Sequence, residues 1–219
     1  DIGDPDFCED AVRRTLDELG GLDVLVNNAG EQHEAERLQD ISYEQLHKTF
    51  RTNFFALFYL TKAALDHLSE GASIINTTSI TAFRGSPSLM DYAATKGAIL
   101  SFTRSLAVNL ASTGIRVNCV SPGAIASNGL RNYTREAAEQ FRYANPMRRA
   151  GDVWDIAEAC AYLGSPAGKF ITGETLAVDG GYQMLGEVWA AGEPEYFRSG
   201  RGARLGRCAR GSGEGADPE

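Results

Sequence analysis

The chain has 219 residues, 43% of them hydrophobic and 23% charged, enough to bury one sizeable core and in keeping with a single folded domain. A formal charge of −8 disfavours nucleic acid or an anionic membrane as the main partner, because both attract basic surfaces; small molecules fit better. No apolar run reaches the roughly 18 residues that a membrane span needs, and no charged-then-apolar leader opens the chain, so the expected location is the cytoplasm.

Taken in chain order, short β-branched runs alternate with longer helical patterns. A helix is expected over residues 5–19, then a strand in "LDVLVNNAG" (22–30), a long helix over 42–69 and a strand in "SIINTTS" (73–79). A helix over 90–112 precedes the strand "IRVNCVSPG" (115–123), helices over 134–144 and 151–163 follow, and the last strand is "ETLAVDGG" (174–181). Asp152 ahead of Val153 and Ile156 marks a helix start, with Asp155 and Glu158 suited to the positive end of its dipole. This alternation is the signature of an α/β fold, a doubly wound parallel sheet with helices on both faces. In such sheets ligands bind beyond the carboxyl ends of the strands, and those ends here carry Asn28-Ala29-Gly30, Ser79 and Pro122-Gly123.

From Glu187 onward apolar periodicity stops, and Arg198, Arg201, Arg204, Arg207 and Arg210 recur every third residue among glycine and alanine. Without interleaved aromatics this reads as a disordered tail (187–219), with a basic nucleic-acid-binding arm as the rival reading. Cys8, Cys119, Cys160 and Cys208 lack metal-ligand spacing and are expected to be small buried apolar residues; no metal is expected. His33, His47 and His67 form no ligand pattern and are read as surface positions.

The chemistry concentrates in "DYAATKGAI" (91–99), where Tyr92 and Lys96 stand four residues apart and so share one helix face. A phenol with an ordinary pKa of about 10 must come down by about 3 units, roughly 4 kcal/mol, to work as an acid/base near neutrality. An ammonium roughly 6 Å away supplies about 2.8 kcal/mol of that at an effective dielectric of about 20. The remainder has to come from a further positive charge near the ring. Y-x-x-x-K alone also occurs by chance, but Ser79, thirteen residues upstream at a strand end, adds a hydroxyl that can hold the same substrate oxygen. A strand-end serine in isolation is usually a turn former.

Together "NNAG" (27–30), Asn53 in "RTNFF", Ser79, Tyr92-x-x-x-Lys96, "SPG" (121–123) and "ITGETLAVDGG" (171–181) resemble the short-chain dehydrogenase/reductase family over residues 1–186. The resemblance implies a Rossmann-like domain and an NAD(P)-dependent oxidoreductase, with NADP slightly favoured over NAD. Its substrate would be a small alcohol, aldehyde or ketone. It implies that Tyr92 is the general acid/base, that Ser79 orients the substrate, and that Lys96 binds the nicotinamide ribose while lowering the tyrosine pKa. Asn53 would hold a relay water, against the plainer reading of a helix-interior asparagine bonded to backbone. Asn28, Ala29 and Gly30 would lie along the adenosine side of the cofactor. Gly30 reads equally well as a turn glycine. Pro122, Gly123 and Ile125 would pack on the nicotinamide, and Ser127 would replace a threonine that bonds the carboxamide. Asp1 and Ile2 match a pair that contacts the adenine, with a fraying terminus as the alternative.

The family's first strand, its Gly-rich turn and the residue that separates NAD from NADP are not in this chain, so the Rossmann-like fold is expected to be N-terminally truncated. Without the turn's backbone N–H groups the main phosphate grip is gone, so weak dinucleotide binding is expected of the chain as given, and hydride transfer of a version extended upstream. An inactive fragment or an assembly partner is the alternative function. The stretches "NNAGEQHEAERLQDIS" and "DYAATKGAILSFTRSLA" look most like the glucose/ribitol dehydrogenase and aldehyde reductase branch. The segment from "SPGAIASNG" to "VDGGYQMLGEVW" instead leans toward members acting on terpenoid alcohols or acyl-CoA thioesters. Tyr133, Phe141, Tyr143 and Met147 are candidates for an apolar lid or, as readily, for the packed side of a helix. The family usually forms homotetramers through helices corresponding to 42–69 and 90–112.

Overall fold

The computed structural model describes residues 1–127 and 146–184. Four strands, β1 (Val24–Asn27), β2 (Ser73–Thr77), β3 (Arg116–Pro122) and β4 (Thr175–Val178), form one parallel sheet in the order β1-β2-β3-β4. The helices are α1 (Pro5–Leu19), α2 (Tyr43–Phe50), α3 (Ala56–Leu65), α4 (Thr81–Arg84), α5 (Met90–Leu110) and α6 (Val153–Gly164).

Strand alternation assigns the two faces of the sheet. Ile74 and Val117 join Val12, Ala64 and Ala107 in a core under α1, α3 and α5, whereas Ile75 and Val120 point the other way and pack with Ala159 and Leu163 of α6. The doubly wound α/β expectation therefore holds, and helices cover both faces. Helix starts follow their side-chain caps: Asp4 accepts from Asp6 N ahead of α1, Ser42 from Gln45 N ahead of α2, and Asp152 with Asp155 forms a capping box on α6.

The expected helix over 42–69 is not continuous. A π turn, Arg51–Phe55, separates α2 from α3, with Ala56 N donating to Arg51 O, and α3 ends at Leu65. Strands are shorter than their apolar runs. β1 stops at Asn27, where Asn28–Gly30 leave the ladder, and β4 stops at Val178, ahead of Gly180 and Gly181 at φ 65° and 87°. The helix expected over 134–144 and the tail from Glu187 lie outside the described residues, as do Tyr133, Phe141, Tyr143 and Cys208.

One polar row crosses the sheet on the α3/α5 face. Asn27, Asn76, Cys119 and Thr175 are register partners on the four strands. The Asn27 amide donates to Asn76 Oδ1 at 2.9 Å and to Thr61 at 3.1 Å, and Asn76 donates to Thr103 at 2.8 Å. The row lies just below the carboxyl ends of the strands and ties α3 and α5 to the sheet by directional bonds, which fixes the height of both helices.

Candidate active site

The Tyr92-x-x-x-Lys96 spacing becomes geometry on α5: the Lys96 ammonium lies 5.3 Å from the centroid of the Tyr92 ring. Ser79, 8% exposed at the end of β2, brings its hydroxyl into hydrogen-bonding reach of the Tyr92 phenol. Lys96 Nζ donates to Thr77 O at 2.9 Å, and Thr78 Oγ1 donates to Lys96 O at 2.8 Å, so both ends of the lysine are held by the exit of β2.

Electrostatically the pair differs from the simple expectation. Lys96 does not bring the tyrosine down in this structure; burial raises the Tyr92 pKa, against which the Ser79 hydrogen bond lowers it. Burial also pulls Lys96 down to about 8. The physical reason is desolvation: a phenolate loses its water in the enclosed site, and the Ser79 hydrogen bond offsets only part of that loss.

Asn53 sits in the π turn, 1% exposed. Its Oδ1 accepts from Glu31 N at 2.8 Å, while its Nδ2 donates to Glu31 O at 2.9 Å and to Thr95 Oγ1 at 3.1 Å. The side chain thus clamps the loop after β1 to α5. At Gly30, beside it, an added Cβ would stand 3.4 Å from Asn53 Oδ1 and 3.5 Å from Lys96 Nζ; glycine keeps that approach open. Gly123 has no room at all: a Cβ there would lie 2.8 Å from the Asp179 backbone.

A cavity of about 800 Å³ opens at the carboxyl ends of β1, β2 and β3. It collects Asn28, Gly30, Ser79, Tyr92, Lys96, Pro122, Gly123, Ile125 and Ser127 of the expected set. Asn53 stands behind the wall and Ala29 is not on it. Asp1 and Ile2 are not brought there either: the Asp1 carboxylate pairs with Arg51 at 2.7 Å and Ile2 O accepts from Cys8 Sγ. The cavity also uses residues that no motif marked, among them Gln32, Glu34, Ser88 and Tyr182. Gln32 and Glu34 arrive because the Asn53 clamp and an Ala35 N to Ser88 O bond fold the loop back across the mouth. That fold-back brings His33 to 3.7 Å from the Glu31 carboxylate and leaves it half-exposed, its side chain 37% accessible; His47 and His67 are exposed. Met147 is exposed and lines a neighbouring hollow instead. Cys8 and Cys119 are buried and Cys160 is half-buried. Among the described residues no cluster of acidic, His or Cys side chains suits a metal, and no helix is long and apolar enough to cross a membrane.

Residues 1–183 match the family described as Enoyl-(Acyl carrier protein) reductase. A solved short-chain dehydrogenase/reductase from Brucella melitensis, titled glucose/ribitol dehydrogenase, superposes with a TM-score of 0.78 at 37% identity, covering 83% of this chain and 74% of that one. The chain belongs to the short-chain dehydrogenase/reductase family. Within that family, General stress protein 39 of Bacillus subtilis is 50% identical over 182 residues, 83% of this chain and 64% of its own length. The NADPH-dependent aldehyde reductase 1, chloroplastic, of Arabidopsis thaliana is 43% identical over 183 residues, 83% of this chain and 64% of its own length. This short-chain dehydrogenase/reductase chain thus spans a little under two thirds of these curated relatives.

Proposed function

We propose that this site moves a hydride between a nicotinamide dinucleotide and a small alcohol, aldehyde or ketone, with Tyr92 giving or taking the accompanying proton. The observation that carries the reading is the convergence of the Tyr92 phenol, the Ser79 hydroxyl and the Lys96 ammonium on one cavity at the strand carboxyl ends. Two hydroxyls on one substrate oxygen stabilise the charge that develops there during transfer. Ser79 orients that oxygen, and Tyr92 passes the proton.

The residues present fit the nicotinamide–ribose end of a dinucleotide. The ammonium has three donors and spends one on Thr77 O, leaving others for a ribose hydroxyl, and Gly30 keeps the adjacent approach clear. When bound, the dinucleotide donates or accepts the hydride, and its oxidised ring adds a positive charge that favours the phenolate. Asn28 and Gly30 line its way in, Pro122, Gly123, Ile125 and Ser127 line the opposite wall, and Asn53 holds the loop between. NADP is favoured over NAD because a 43% identical relative is named NADPH-dependent. A second reading, an inactive chain of this family, would leave this polar set without a task.

The test follows NADPH absorbance with propanal, and NADP reduction with glucose, in the longest protein that the gene encodes. Tyr92→Phe should lower kcat by about a thousandfold. Cofactor affinity from nicotinamide fluorescence should stay within roughly threefold, since that change removes no cofactor donor of Lys96. Full turnover without the phenol hydroxyl would overturn the reading.

A further inference from the structure

Asp91 is 3% exposed, carries a carboxylate, and does not itself line the cavity. Its surroundings explain why a charge is kept there. Helix α5 begins without a side-chain cap, because Leu89 stands at the N-cap position. The first N–H groups of a helix have no partner within it, and the Tyr92 N–H is one of them. Asp91 Oδ1 accepts that N–H at 2.8 Å, while Oδ2 accepts from Gln45 Nε2 at 3.2 Å and from the Thr49 hydroxyl at 2.8 Å, both on α2, sharing the one hydroxyl proton with Gln45 O at 2.9 Å. On the other side of the same residue, Thr95 Oγ1 donates to Tyr92 O at 2.7 Å and accepts from Asn53 Nδ2. The backbone of Tyr92 is therefore held at both its N–H and its C=O by buried side chains that are each tethered to the neighbouring helix pair α2–α3.

From this bracket we infer that Asp91 is a positioning residue, which sets the Tyr92 phenol against Ser79 by locking the first turn of α5 to α2. The inference rests on the acid/base reading of Tyr92. A carboxylate suits the place because its two oxygens accept from the Tyr92 N–H and from Gln45 Nε2 at once, whereas an asparagine that turns its one oxygen to the Tyr92 N–H sets its NH2 against the Gln45 amide donor. The negative charge also sits at the positive end of the α5 dipole. The arrangement leaves cofactor contacts untouched, so its loss should appear in kcat and not in binding.

In the longest protein that the gene encodes, with NADPH and propanal as probes, Asp91→Asn should lower kcat by about thirtyfold, in line with a sub-ångström displacement of a reacting group. KM for propanal and NADPH affinity should stay within about twofold. Thr49→Val, which removes one tether, should lower kcat by about fivefold, and the double variant should fall no further than Asp91→Asn, because both act through one contact. Unchanged kcat in a folded Asp91→Asn, or losses that add in full, would overturn the inference. Should Asp91→Asn not fold, Thr49→Val decides: reduced kcat with intact NADPH affinity supports the bracket, and undiminished kcat sinks it. The outcomes separate from those for the site itself: an active Tyr92→Phe removes the acid/base reading, whereas an inert Tyr92→Phe beside a fully active Asp91→Asn removes only the positioning role.

Discussion

Lys96 is 3% exposed in a place that penalises its charge, and the penalty has a pH signature. Its pKa falls from 10.5 to about 8 on burial. Below the folded value both folded and unfolded chains carry the proton, and the whole penalty, about 3 kcal/mol, weighs against folding. Between that value and the unfolded one the unfolded chain binds more protons, so this residue's burden lightens as pH rises. Lys96→Met should accordingly stabilise the chain at neutral pH by about 2 kcal/mol, the lost Thr77 hydrogen bond offsetting about 1 kcal/mol. By about pH 9.5 the gain should have shrunk nearly to zero. Urea unfolding of both forms at the two pH values checks this, and a gain that does not change with pH would refute it. At this scale the spacing of Tyr92 and Lys96 was legible, because helical geometry follows from sequence separation alone. The direction of the tyrosine shift was not, because desolvation depends on what surrounds the ring, and the surroundings come from β2, the loop after β1 and α5 together.

Among the elements, the π turn Arg51–Phe55 does the most for the site and left the weakest trace in the sequence. "RTNFF" contains no glycine or proline, so its pattern reads as uninterrupted helix, and only the asparagine stands out. What the sequence could not convey is that the Asn53 amide satisfies both backbone groups of Glu31, twenty-two positions earlier, and Thr95 on another helix. Asn53→Ala would leave both backbone groups of Glu31 without their partner in a half-buried setting, Thr95 keeping its bond to Tyr92 O, and should destabilise the fold by about 2 kcal/mol. Denaturant unfolding measures that loss. Hydrogen exchange gives the sharper test, since the Glu31 amide should lose its protection while the amides of β2 keep theirs. Equal protection in both proteins would show that the loop is held by something other than this clamp. The neighbouring polar row shows the same limit: Asn27, Asn76 and Cys119 look unrelated in the chain and become neighbours only through parallel register.

Across the whole molecule the sheet separates two kinds of polar residue by its two edges. The alternation of short strands and helices made the parallel sheet and its reactive carboxyl edge legible, since both follow from connectivity; the opposite edge had no motif to announce it. There Arg116, 8% exposed at the start of β3, donates to Leu163 O at 2.5 Å and Gly168 O at 3.0 Å, with Gly164 O and Ser165 O at 3.5 Å and 3.4 Å. A buried cation with no carboxylate partner among the described residues is tolerated here because the carbonyl end of α6 carries the negative pole of the helix dipole. Burial pushes its pKa down from the usual guanidinium value, a sign of the cost that those carbonyls offset. Six rises of β3 separate Arg116 from Pro122 at the cavity, about 20 Å along the strand. Arg116→Met should therefore destabilise the chain by about 3 kcal/mol, through carbonyls left unsatisfied at the end of α6, and leave KM and kcat of the folded fraction within about twofold. Urea unfolding and NADPH turnover of one preparation test both halves: a variant as stable as the parent would dismiss the carbonyl cage, and a folded fraction slowed by more than twofold would dismiss the independence of the two strand ends.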